Sequence, residues 1–77
     1  MREFTIRLHS VDDVNEFVAI ATRQYRVYIS DGERTVDGNS IMEIFCLALS
    51  NSLTVTADCG EEEFQELYRA CGRLLEK

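Results

Sequence analysis

Tyr25-Arg26-Val27-Tyr28-Ile29-Ser30-Asp31-Gly32-Glu33-Arg34-Thr35-Val36 reads as two strands folded back on each other. Tyr25, Val27 and Ile29 alternate with Arg26, Tyr28 and Ser30, the period of a strand with one face in a core. Asp31-Gly32 supplies residues that tolerate the positive φ of a tight hairpin turn, and Glu33 to Val36 is the short return strand. A hairpin of this kind makes the pair antiparallel, and the alternation of its strands leaves the sheet one wet side.

On the N-terminal side, Phe4, Ile6 and Leu8 alternate with Thr5 and Arg7 as a first strand. Val14, Phe17, Val18 and Ala21 then recur at helical spacing, with Ser10 as the cap and Asp13 in the first turn. On the C-terminal side, Asp37-Gly38-Asn39 breaks the chain, and Ser40-Ile41-Met42-Glu43 has the form of a capping box opening a second helix. The apolar face of that helix is expected to use Ile41, Ile44, Phe45, Ala48 and Leu49. After the turn at Asn51-Ser52, Leu53, Val55 and Ala57 alternate with Thr54 and Thr56 as a fourth strand. Glu61-Glu62-Glu63 is a solvated, acidic helix start, and Phe64, Leu67, Tyr68, Cys71, Leu74 and Leu75 form an unbroken helical stripe behind it. The order β-α-β-β-α-β-α predicts an α+β open-faced sandwich: a four-stranded antiparallel sheet with three helices on one face.

Seventy-seven residues make one domain, 1–77, and 45% hydrophobic residues suffice for one core without staples. A net charge of −6, with eight Lys and Arg scattered along the chain, argues against nucleic acid, whose binders gain affinity by neutralising phosphates. Cys46, Cys59 and Cys71 are an odd set with no C-x-x-C and no paired His, so neither a disulfide framework, a metal site nor a cofactor is signalled. No apolar run reaches the length of a membrane span, so membrane insertion is not expected, and no export signal is legible. These features point to the cytoplasm and to a protein that works by docking.

The run from Arg34 through Asn39-Ser40-Ile41-Met42-Glu43 to Ser50, then Leu53-Thr-Val-Thr-Ala-Asp58 and the acidic entry to the last helix, resembles the second half of the histidine-containing phosphocarrier (HPr) family. The element order is similar throughout the chain. The resemblance implies the HPr fold, with the fourth strand between the first and second, and a place beside the bacterial phosphoenolpyruvate-dependent sugar phosphotransferase system. In that family the second helix opens with a Lys-Ser-Ile-Met type motif whose serine is a regulatory phosphosite, and Ser40 falls on it. The exposed part of this helix docks enzymes and regulators, which nominates Ile41, Met42, Phe45, Cys46 and Leu47. Helical spacing sends Ile41, Ile44 and Phe45 toward the core and leaves Met42, Cys46 and Leu47 as the outward candidates.

The first half departs from the family. Its phosphorylatable histidine opens the first helix in a Gly-x-His-x-Arg-Pro-Ala type motif, whereas here Ser10 occupies that position and Asp12-Asp13 replace Arg-Pro. His9, the one histidine, is a neighbour that could present phosphate to a helix N-terminus. Charge opposes it. A phosphoryl group about 5 Å from a carboxylate is repelled by about 1 kcal/mol per charge pair in water and about 3–4 kcal/mol at a surface-like dielectric. Asp12, Asp13 and Glu16 are in range, and Arg7 is the compensator the sequence offers. The resemblance therefore implies an interaction module, similar to the histidine-lacking HPr paralogues that keep the regulatory serine. Its partners would be proteins: phosphotransferase enzymes, a serine kinase or a transcription regulator. The alternative is a phosphocarrier using His9. A third reading is an unrelated α+β domain, which a different strand order would favour.

Overall fold

A computed structural model describes residues 2–23 and 26–75. Along the chain run β1 (Arg2–Ile6), α1 (Val11–Ala21), β2 (Val27–Ser30), β3 (Thr35–Asp37), α2 (Ile41–Ile44), β4 (Leu53–Ala57) and α3 (Glu61–Ala70), closed by a 3-10 turn at Gly72–Leu74. The four strands form one sheet in the order β1-β4-β2-β3, and every neighbouring pair is antiparallel. The chain is thus α+β, with β4 lying between β1 and β2. Tyr25, read as the start of the second strand, lies outside the described residues.

Alternation in the strands creates the two faces. Ile6, Val27, Ile29, Val36, Leu53, Val55 and Ala57 are buried on one face, while Thr5, Tyr28, Thr54 and Thr56 stay half-buried on the other. The helices cover the first face: Val14, Phe17, Ile20 and Ala21 from α1, Ile44 from α2 and Leu67 from α3 join a single core. Among the described residues Phe17 is the largest wholly buried side chain, and burial of such a residue is worth about 1.5–3 kcal/mol. Among the described residues no helix is long and apolar enough to cross a membrane.

The hairpin turn is wider than the sequence suggested. Gly32 does take a positive φ, +100°, but the Asp31 carboxylate accepts the N–H groups of both Glu33 and Arg34 at 2.9 Å. Those two residues belong to the turn, so β3 begins at Thr35 rather than at Glu33. Gly38 is required by a close approach: its N–H donates to the Val27 carbonyl at 2.8 Å, and a Cβ there would stand 3.0 Å from that oxygen. The bond carries the pairing with β2 one residue past the end of β3.

The C-terminal stripe is divided between two conformations. The α-helix ends at Ala70; Leu74 lies in the 3-10 turn, and Leu75 pairs with Ile6 as an isolated antiparallel bridge. Cys71 and Leu74 are buried, whereas Tyr68 is exposed on one side of a ring cluster with Phe4 and Phe64.

Candidate functional site

β1 ends at Ile6, two residues before the end of the alternation read from the sequence; Leu8 is still buried, and His9 and Ser10 after it are exposed at the entrance to α1. Ser10 has extended backbone angles, and its Oγ accepts the Asp13 N–H at 3.2 Å. This is the cap expected from the sequence, satisfying one of the free donors of the first turn. Asp13 reaches back in turn: its Oδ2 accepts the His9 N–H at 2.9 Å.

Asp13 is the one buried charged residue among those described, and burial of a carboxylate demands a partner. Arg73, from the 3-10 turn, provides it. Its Nη2 donates to Asp13 Oδ1 at 2.8 Å and to Glu16 Oε1 at 2.7 Å. The His9 N–H, and after it the Arg73 guanidinium, holds the Asp13 carboxyl below its usual range against the opposing effect of burial. The two carboxylates hold the Arg73 guanidinium protonated. Of the three acids read as opposing a phosphoryl group on His9, Asp13 and Glu16 are therefore paired with a cation that the sequence did not indicate; Asp12 is exposed.

Arg7 is drawn elsewhere, its Nη2 donating to the Ser50 carbonyl at 3.0 Å. It nevertheless lines, with His9, Ser10, Val11, Phe45 and Leu49, an open groove of about 400 Å³ between the α1 entrance and the end of α2. The groove brings together His9, Ser10 and Phe45 from the candidates named above. Its rim is apolar: Val11 is 60% exposed, Phe45 43%, and Met42 on the neighbouring turn 76%.

The second helix differs from its expected form in three respects. It is one turn long, and the Ser40 side chain makes no capping hydrogen bond; the Ser40 carbonyl accepts the Ile44 N–H while its hydroxyl stays uncommitted to the first turn. Because the helix stops at Ile44, its periodicity does not carry onward. Phe45, assigned to the core, is exposed, and Leu47, an outward candidate, is buried at 6%. Met42 and Cys46 do face outward, with Cys46 bordering a second groove beside Asp31 and Arg34. Ile41 is half-buried and packs on the core.

All three cysteines are free. Burial pushes the Cys71 thiol up to about 12, and raises that of half-buried Cys59 as well. Among the described residues no three His, Cys, Asp or Glu side chains are grouped to hold a metal. Val11 and Arg73 are the site residues that sequence reasoning missed. A valine directly after a cap, at the mouth of a helix, was a signal for the first; nothing local marked the second. No protein-family model matches the chain, and no curated protein or solved structure matches it.

Proposed function

We propose that this chain is an HPr-like interaction module that does not relay phosphate, docking protein partners of the sugar phosphotransferase system through the α1 entrance and α2. One observation carries the reading: the Asp13 carboxylate already occupies the α1 entrance, accepting the His9 N–H at 2.9 Å where a transferred phosphoryl group would need free donors. The exposed Val11, Met42 and Phe45 beside the groove support docking, since a cluster of large apolar side chains at the surface is a contact surface in search of a partner. The order β1-β4-β2-β3, with β4 between β1 and β2, is the one the family resemblance requires, and it supports this reading.

Ser40 fits the same reading as a regulatory phosphosite. Its hydroxyl spends no hydrogen bond on the helix, and an added phosphate would change the charge met by a partner beside Met42. The kinase that recognised it would be a further partner, as would a transcription regulator that read the modified surface.

A specific observation favours a second reading, carriage on His9: Arg73 offsets two of the acids that would repel the phosphoryl group. Incubation with the phosphotransferase system's first enzyme and labelled phosphoenolpyruvate separates the two. The module takes up no acid-labile label; label that appears and is lost in His9→Ala would establish the carrier instead.

A further inference from the structure

We infer that the C-terminal 3-10 turn is a latch on the α1 entrance: Arg73 fixes the Asp13 carboxylate, and the carboxylate fixes the backbone of His9. This goes beyond the docking reading and holds whether His9 carries phosphate or not. The latch has a firm base. The Leu74 carbonyl accepts the Arg7 N–H at 2.9 Å, Leu75 pairs with Ile6, and the Leu74 side chain is buried, so the turn lies along the end of β1, just before His9.

From that base Arg73 reaches α1, where Asp13 and Glu16 sit three residues apart on one helical face. Asp13 spends one oxygen on each end of the connection: Oδ1 receives Arg73 and Oδ2 receives the His9 N–H. A carboxylate held at both oxygens transmits position, because it cannot turn toward one donor without leaving the other. The charged and titratable groups around it are Glu16 on its own helix, Arg73 from the turn, His9 from the loop before α1, and Cys71, which faces Glu16 from the end of α3. Anything that draws the 3-10 turn away from β1 therefore releases His9, and by reciprocity anything that displaces the Asp13–His9 bond loosens the turn.

Amide-proton NMR on the full chain tests the latch, comparing the natural protein with Arg73→Gln, Arg73→Lys and Glu16→Gln. Loss of a charged donor to a buried carboxylate should speed exchange of the His9 amide by roughly tenfold, while Val55 in β4 is unchanged. Arg73→Lys should restore part of the protection, and Glu16→Gln should leave His9 within about twofold, because the Asp13 path survives it. In the natural protein, acid should move the His9 amide resonance with a midpoint below that of an ordinary Asp, and Arg73→Gln should raise that midpoint. An unchanged His9 exchange rate and midpoint in Arg73→Gln would overturn the inference, as would equal loosening by Glu16→Gln. Should Arg73→Gln fail to fold, the natural protein decides: absence of the acid transition at the His9 amide refutes the latch.

Discussion

Ser10 and Ser40 both precede helices, and both look like caps in the sequence, yet replacing each by alanine should have different consequences. Ser10 Oγ accepts the Asp13 N–H at 3.2 Å; Ser10→Ala returns that donor to water at the mouth of an eleven-residue helix. The loss of such a cap costs about 1 kcal/mol, with a range of about 0.5–2. At an unfolding entropy of about 2.1 cal/mol/K per residue, the chain should lose about 4–8 °C of Tm for each kcal/mol. Ser40→Ala removes a hydroxyl with no bond to the helix, and α2 has only four residues to support, so its effect should stay within about 0.5 kcal/mol. Thermal unfolding followed by far-ultraviolet circular dichroism, with urea titrations to supply the free energies, measures both. Equal losses, or a larger loss at Ser40, would refute the assignment of one cap and one uncommitted hydroxyl. The contrast bears on function, since a hydroxyl that makes no cap bond is one that can be modified without unfolding the domain.

The end of α2 is tested by Leu47→Ala, which should cost about 2–5 kcal/mol as a cavity in the core, against Met42→Ala at within about 0.5 kcal/mol. Urea denaturation midpoints check both, and similar costs would mean that the chain leaves α2 differently. Cys71 predicts an alkaline weakness. Its thiol is pushed up from 9.0 to about 12, so the folded state keeps a proton that the unfolded state releases. The contribution is whole below about pH 9 and is lost as pH rises toward about 12, at about 1.4 kcal/mol per pH unit. The difference between natural protein and Cys71→Ala in urea should follow that slope, and a thiol reagent should label exposed Cys46 at once but Cys71 only on unfolding.

The strands were legible because their information is local. Leu53-Thr54-Val55-Thr56-Ala57 carries its own alternation, and the structure buries Leu53, Val55 and Ala57 while leaving both threonines on the open face. Ser10 and Asp13, three residues apart, were legible for the same reason. The reading failed where a local pattern was extended past the point at which tertiary packing took over. Phe45 and Leu47 exchanged places because their assignment assumed that 100° per residue continued beyond Ile44, where the helix has already ended. The Ser40–Glu43 pattern had the letters of a capping box but not its geometry, since φ −103° and ψ 95° at Ser40 bring no side-chain bond to the first turn. Arg73 was beyond reach of any pattern. Its two acids lie 60 and 57 positions earlier, and only the folded chain brings them together. Around His9, three acids expected to have Arg7 as their compensator become one exposed acid, Asp12, and a couple ion-paired to Arg73.

Asp31 has a mechanical consequence. Besides closing its own hairpin, its carboxylate accepts the Ala48 N–H at 2.9 Å, and these three amide donors pull its acidity to about 2. The tether is therefore intact above about pH 4 and slackens only as the carboxylate protonates toward about pH 2. At any milder pH, the segment carrying Phe45 and Leu47 is moored to a turn at the outer margin of the sheet. A partner docking as proposed and tilting α2 would pull on that margin through the Ala48–Asp31 bond, and its footprint would then extend to residues it never touches.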